Sequence, residues 1–315
     1  MRAAVVRDFE RGPQYDTIEL PQAEGVPVDV LAAALSPRVR SGASGRHYTS
    51  EGVLPLVPGL DGVGRLADGR RVYFLGAHDT AGTMAERALA HPRLMAPLPD
   101  SVSASTIAAG MLPALSSWVA LTRRTPLQRG QSVLVLGATG TSGQLAVQIA
   151  RHLGAGTVIA AGRDAGALEH TRSLGADRVV QLTGNPADAA ALAQAASEVD
   201  IVLDYLWGTV TSAAMPAICR HREDESRALR WVLIGSVAGD EIALSSVLLR
   251  KRNLFILGSG QGASTVAEMF GCAGDIMEAF AAGKLQVNAR EVPLSEVAQW
   301  WNARTESGQR IVFVP

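Results

Sequence analysis

Residues 132–143 read Ser132-Val-Leu-Val-Leu-Gly137-Ala-Thr-Gly140-Thr-Ser-Gly143. An apolar, β-branched run ends here in three glycines at spacing three and passes straight into a helical pattern. Gln144 to Leu153 continues with Leu145, Ile149 and Leu153 on one stripe, as an amphipathic helix requires. A strand, a glycine turn and a helix start in this order form a seat for a dinucleotide pyrophosphate. Gly137 allows the tight turn, Gly140 lets the backbone approach phosphate without a Cβ, and Gly143 lets the helix close on the sheet. The helix-start amides and dipole then face the anion. The spacing is GxxGxxG rather than GxGxxG, so the context carries the reading more than the triplet does. Gly137, Ala138, Thr139, Gly140, Thr141, Ser142 and Gly143 are the expected cofactor loop.

Around this loop the chain alternates strand and helix patterns. Strands are expected at Ser132–Leu136, 157–161, Arg178–Gln181, 201–205, 231–235 and Leu254–Gly258. Six strands alternating with helices predict a doubly wound parallel sheet, a Rossmann arrangement. Before about residue 112 the sequence instead shows short apolar runs broken by Gly, Pro and Asp, at 3–6, 28–35, 71–75 and 83–89. Such runs favour β structure with long connections. After Gly260 a helix over 266–282, a strand over 287–292, a capped helix from Ser295 and a last strand over 310–314 are expected. The mixed-charge run 220–230 reads as a solvated loop.

The chain has 315 residues, enough for two cores, and carries a net charge of −1 with 19% charged residues. That charge supplies no field for gathering nucleic acid or an anionic membrane. The cysteines Cys219 and Cys272 are too few for a disulfide framework or a zinc cluster and read as reduced thiols in a cytoplasmic protein. The start, Met1-Arg-Ala-Ala-Val-Val-Arg7-Asp, is a charged strand rather than a signal peptide, and no uninterrupted apolar run predicts a membrane span.

Several dispersed segments resemble a known family in their order and spacing. They are Ala3-Ala-Val-Val6, Pro55 to Gly64 (PLVPGLDGVG), the glycine loop, Leu174-Gly-Ala-Asp177, Val199 to Asp204 (VDIVLD), Val232 to Ser236 (VLIGS), and the ending PLSEV from Pro293 with GQRIV from Gly308. Nearly end to end, the chain resembles the zinc-independent, quinone-oxidoreductase-like branch of the medium-chain dehydrogenases and reductases. The resemblance implies an α/β protein. A GroES-like, β-rich catalytic domain is built from residues 1–112 and 261–315, and encloses a Rossmann domain at 113–260. It further implies an active site in the cleft between the two.

Departures from the family pattern narrow the chemistry. Zinc-dependent relatives have Gly-His-Glu where this chain has Gly59-Leu60-Asp61, no Cys stands near residues 35 to 45, and the six histidines show no ligand spacing. A catalytic zinc needs three protein ligands, so no metal is expected, and Asp61 reads as a structural turn residue. Without a Lewis acid, direct ketone reduction loses its main electrophilic help. A conjugated acceptor needs less, because charge spreads onto an oxygen that hydrogen bonds can stabilise. The resemblance accordingly implies NADPH-dependent hydride transfer to a quinone or an α,β-unsaturated carbonyl, a small-molecule substrate. An enoyl-thioester reductase of polyketide type and a non-catalytic NADPH-binding protein are the alternatives.

By the same resemblance, Ser36 occupies an asparagine position lining the cleft, and Tyr48 matches a tyrosine that donates a proton in relatives. His47 is the runner-up. Arg38 and Arg40 are candidate holders of a substrate carboxylate or phosphate, with solvated loop residues as the plainer reading. Ser116 or Ser117 is expected to cap a helix entering the Rossmann domain. Cofactor choice turns on the tip of the second Rossmann strand, where Gly162 and Arg163 stand in place of a carboxylate. A guanidinium suits a 2′-phosphate, so NADPH is expected, while Asp164 keeps NADH as the alternative. The resemblance adds Gly235, Ser236 and Gly258 to the cofactor set, and a homodimer formed along the apolar strand Leu254–Gly258.

Overall fold

The computed structural model describes residues 1–47 and 49–315. They form two compact units, Met1–Leu112 with Ala273–Pro315, and Pro113–Cys272. The segment 261–272, expected with the C-terminal part, groups instead with the parallel sheet.

In the second unit, six parallel strands lie in the order Leu254–Gly258, Leu229–Leu233, Ile201–Asp204, Ser132–Leu136, Thr157–Gly162, Arg178–Gln181. Counted along the chain this is 6-5-4-1-2-3, so the order reverses between Ser132–Leu136 and Ile201–Asp204. Such a reversal opens a crevice at the carboxyl ends of those two strands, the place where ligands bind in open α/β sheets. Leu134, Leu136, Val202, Trp231 and Ile218 are among the side chains of its core. Residues of the central strands are buried on both faces, which explains why these runs are apolar throughout rather than alternating.

In the first unit the strands run Asn288–Pro293, Gln309–Val314, Val26–Ala34, Asp61–Arg65, Arg71–Gly76, Arg87–Pro97, and Val26–Ala34 pairs again with Arg87–Pro97 to close a barrel. In this sheet Asn288–Pro293 pairs with Gln309–Val314 in parallel, and the other strand pairs among the described residues are antiparallel. Gly64 is needed where strands crowd, since a Cβ there would stand 2.2 Å from Val28 Cγ1.

Several expected elements are corrected. The strand placed at 83–89 lies at Arg87–Pro97. The helix over 266–282 is two helices, Val266–Phe270 and Ala273–Ala281, parted at Gly271 and Cys272, where the chain passes from one unit to the other. The helix from Ser295 is a 3-10 turn, Leu294–Glu296, leading into Val297–Trp300. Ser116 and Ser117 cap nothing, because their helix already starts at Ala104, where Ser103 Oγ accepts from the Thr106 amide at 3.0 Å. The stretch Ala104–Arg124 is long and apolar enough to cross a membrane by length and composition, yet 78% of its apolar window is buried inside the protein. The run 220–230 is not simply solvated. Arg222 is 4% exposed and donates to the carbonyls of Val199 and Arg227, and Arg227 pairs with Asp200 at 2.7 Å.

Candidate functional site

At the crevice, Gly137 takes φ +92°, a left-handed conformation that favours glycine. The amides of Gly137 and Ala138 both donate to the Ala161 carbonyl at 2.9 Å, tying the turn to the neighbouring strand. Gly143 faces the turn so closely that a Cβ would lie 2.1 Å from the Gly137 carbonyl oxygen. Gly140 is the opposite case, because a Cβ there would meet nothing within 4 Å. Gly140 is also the N-cap of helix Thr141–His152, with no side-chain cap and no acidic residue in the first turn. Open space therefore lies beside the helix start at Gly140, and no carboxylate of the first turn competes for an anion there, which fits a pyrophosphate.

Thr139 rests against Gly162, where a Cβ would stand 2.5 Å from Thr139 Cγ2. Gly162 closes the second strand, and the exposed side chain of Arg163 follows with no hydrogen bond or ion pair among the described residues. Asp164 is committed elsewhere. Its carboxylate caps helix Ala165–Ser173, accepting from the Ala167 amide at 2.9 Å. The arrangement thus offers a cation, rather than a carboxylate, at the strand tip.

Across the crevice lies a feature the sequence reading missed. Asp204 is fully buried, and one carboxylate oxygen accepts from the amides of Leu206 at 2.8 Å and Trp207 at 2.9 Å. The other accepts from Trp231 Nε1 at 2.7 Å and from the Thr211 hydroxyl. Four donors on one carboxylate hold the loop Tyr205–Trp207, in which Trp207 takes φ 53°, ψ −152°, a region used almost only by glycine. This loop borders the glycine turn, since a Cβ on Gly137 would meet Tyr205 Cβ at 3.2 Å and Leu206 Cδ2 at 3.1 Å. The Tyr205 hydroxyl lies 3.2 Å from Ser116 Oγ, whose own proton goes to the Pro113 carbonyl at 2.6 Å, so Tyr205 is the donor of the pair. Burial pushes the Tyr205 hydroxyl up to about 12. The signal for this hub was an Asp ending an apolar strand with a Trp one strand away, a pairing visible only in three dimensions.

Of the remaining expected cofactor residues, Gly235 donates to the Asp204 carbonyl at 3.1 Å, and the Ser236 hydroxyl donates to Asp240 at 2.7 Å. Gly258 ends the edge strand, its carbonyl accepting from Arg124 Nε at 2.9 Å. All stand at the carboxyl ends of the parallel strands, as the glycine loop does.

In the β-rich unit, Ser36 is 7% exposed and its hydroxyl accepts from the Val39 amide at 3.1 Å as the cap of helix Pro37–Ala43. Its expected place in a substrate grip is thus shared with a structural duty. Tyr48 lies outside the described residues. Its neighbour His47 is half-buried, and its Nδ1 accepts from the Thr49 amide at 3.2 Å, which leaves the proton of the neutral ring on Nε2. Arg38 Nη2 donates to Thr49 Oγ1 at 2.7 Å, and Thr49 Oγ1 stands 2.9 Å from His47 Nδ1. Burial first, and Arg38 second, hold the imidazole below its ordinary range. Arg38 and Thr49, with Phe9, Leu56, Leu60 and Asp79, line a cavity of about 70 Å³.

Comparisons with known proteins bear on the family and the fold. Residues 143–273 match the family described as zinc-binding dehydrogenase. The chain is 28% identical to a probable NADPH-dependent quinone reductase, tdiC, of Emericella nidulans, with 94% of this chain and 93% of that protein covered. It is 31% identical to the 2-methylene-furan-3-one reductase of Solanum lycopersicum over half of this chain and 44% of that protein. Among solved structures, the quinone oxidoreductase from Thermus thermophilus, also solved in complex with NADPH, superposes with a TM-score of 0.80 at 26% identity, with both chains fully covered. The reversed strand order, the glycine loop at the reversal and likeness along the whole length converge on one conclusion: the chain belongs to the medium-chain dehydrogenase/reductase superfamily, in its quinone-oxidoreductase-like branch.

Proposed function

We propose that this protein is a cytoplasmic, homodimeric, NADPH-dependent reductase of quinones or α,β-unsaturated carbonyls that works without a metal. The observation that carries the cofactor reading is the pairing of a free, exposed Arg163 with an Asp164 tied into a helix cap. Arg163 holds the 2′-phosphate as a charge-assisted partner. The amides that open helix Thr141–His152 hold the pyrophosphate, and Gly140 gives it room. NADPH, when bound, supplies the hydride.

This chain's own groups have a smaller task, to place the acceptor and protonate its oxygen. Burial and Arg38 favour the neutral His47 imidazole, whose proton then sits on Nε2, where it can donate a hydrogen bond as negative charge grows. Tyr48, the neighbouring residue in sequence, is the other donor in this proposal. The metal-free reading is supported by the donor set. Leu60 brings no ligand atom, and no three His, Cys, Asp or Glu side chains converge among the described residues.

Arg163→Ala tests the reading. Losing a charge-assisted contact worth about 1.5 to 3 kcal/mol raises the NADPH dissociation constant roughly 10- to 150-fold. NADH, lacking the phosphate, changes much less. Equal losses for both cofactors in binding titrations would show that Arg163 supports the loop without reading the phosphate. Turnover with a panel of quinones, enals and enoyl thioesters then separates the reductase reading from the enoyl-thioester alternative, and no turnover with any of them leaves only a binding protein.

A further inference from the structure

The buried charges of the β-rich unit do not balance. Arg310, on the last strand, is 7% exposed. Its Nη1 donates to the Leu35 carbonyl at 3.3 Å, and its Nε is buried without a partner among the described residues. Asp61 attracts it and Arg40 repels it. Arg40, on helix Pro37–Ala43, is half-buried, its Nε also buried and unpartnered, and its guanidinium meets no acceptor among the described residues. A long cationic side chain ordinarily keeps its head in water. Here Arg310 has one buried carboxylate near it, Asp61, which already accepts from the Tyr73 hydroxyl at 3.0 Å, and Arg40 has no carboxylate partner among the described residues. Buried charge without a counter-charge is costly.

Arg40 also lines an open groove of about 420 Å³, together with Arg11, Arg46, Ser41, Trp301 and Asn302. The residues that line it carry three guanidiniums, hydroxyls, an indole N–H and an amide. Neither Trp301 Nε1 nor the Arg46 guanidinium has a hydrogen-bond partner among the described residues. Glu10 is the carboxylate on the rim and forms no ion pair with these arginines among the described residues, while Arg11 pairs with Asp8 at 3.7 Å, which leaves Arg40 and Arg46 as the groove's unpaired cations. A surplus of donors over acceptors, backed by an unbalanced buried cation, suits a ligand that accepts many hydrogen bonds and carries negative charge.

We propose that this groove is an oxyanion site, in which Arg40 and Arg46 clamp the phosphate or carboxylate group of a small molecule and Arg310 adds its charge from behind. All its residues belong to the β-rich unit, whereas the glycine loop belongs to the other, so variants in the groove leave the residues of the glycine loop unchanged.

The test uses the full chain and two probes, inorganic phosphate and citrate, each compared with sodium chloride at equal ionic strength. Thermal unfolding and calorimetric titration are the readouts. The wild type is expected to be stabilised by at least one probe beyond chloride. Arg40→Met should weaken that binding tenfold or more, and should raise the melting temperature of the anion-free protein, because the unpaired charge is gone. Arg46→Ala, an exposed change, should weaken binding at least threefold and leave the anion-free protein unaltered, so it decides the matter if Arg40→Met does not fold. A response to phosphate alone supports a phosphate ester as ligand, and a response to citrate alone supports a carboxylate. The proposal is overturned if neither probe exceeds chloride, or if both variants respond as the wild type does, which would place the anion at the glycine loop.

Discussion

Asp61 carries a pH dependence that can be worked out from its surroundings. Burial raises its carboxyl from 3.8 to about 6, against the lowering effects of the Tyr73 hydrogen bond and Arg310. The folded state therefore holds this proton more tightly than the unfolded chain does. The resulting stabilisation is complete below about pH 4 and is lost as the pH rises through about 6. From pH 5 to pH 7 the wild type should lose about 1 kcal/mol relative to Asp61→Asn, which cannot titrate but still accepts from Tyr73. Denaturant unfolding at the two pH values checks this, and parallel losses in both proteins would remove Asp61 as the cause. The glycine loop gives a second residue-scale contrast. Gly143→Ala should destabilise the fold by about 1 to 3 kcal/mol, because its methyl collides with the Gly137 carbonyl. Gly140→Ala should change stability by less than about 1 kcal/mol, since a poorer N-cap is offset by a less flexible unfolded chain, yet weaken NADPH binding roughly tenfold or more, because its methyl fills the space left for phosphate. Unfolding curves and NADPH titrations on both variants separate the two roles.

The loop after strand Ile201–Asp204 depends on Asp204 as an acceptor from four donors. Asp204→Ala leaves the Trp231 N–H and two backbone amides buried without partners and should cost about 3 kcal/mol or more. Asparagine should rescue little, since its NH₂ would turn a donor toward either the Trp231 indole and Thr211 or the two backbone amides. Thermal unfolding measures the cost, and full rescue by Asn would mean that shape matters here more than acceptor number. The same scale shows why some elements were legible in the sequence. Arg178–Gln181 and Leu254–Gly258 were read with their observed bounds, because short apolar runs between turn signals have few alternatives. The helix over 266–282 was misjudged because apolar periodicity continues through Gly271 and Cys272, whereas the break there follows from which unit each half packs into.

At the scale of the whole molecule, the strand Leu254–Gly258 pairs on one side only, with Leu229–Leu233. Phe255 on it is 46% exposed, and Val247 and Leu249 of the preceding helix are 50% and 45% exposed. An open apolar edge invites pairing with a second copy, and a two-fold axis lets the same edge serve both partners. Light scattering should return twice the 33.0 kDa chain mass. Phe255→Lys should shift the particle toward a single chain without lowering the melting temperature of the monomer, since this ring is not in the core. A wild-type particle of one chain mass at micromolar concentration would end the dimer proposal.

Local pattern by itself determined the Rossmann sheet, because strand, glycine turn and helix follow from residues close in the chain and each carries its own period or backbone requirement. It also marked Arg163 and Asp164 as candidates for choosing a cofactor, since both sit at a fixed distance beyond the loop. Only the tertiary structure decided what each of those charges does: Asp164 is spent on a helix cap and Arg163 is left free. The same holds for Asp204 with Trp231, for Asp61 with Tyr73 and Arg310, and for Arg40 and Trp301, which line one groove. The residues in each of these groups stand 12 to 261 residues apart, a separation that no local period encodes, and burial sets their worth only once the chain has folded.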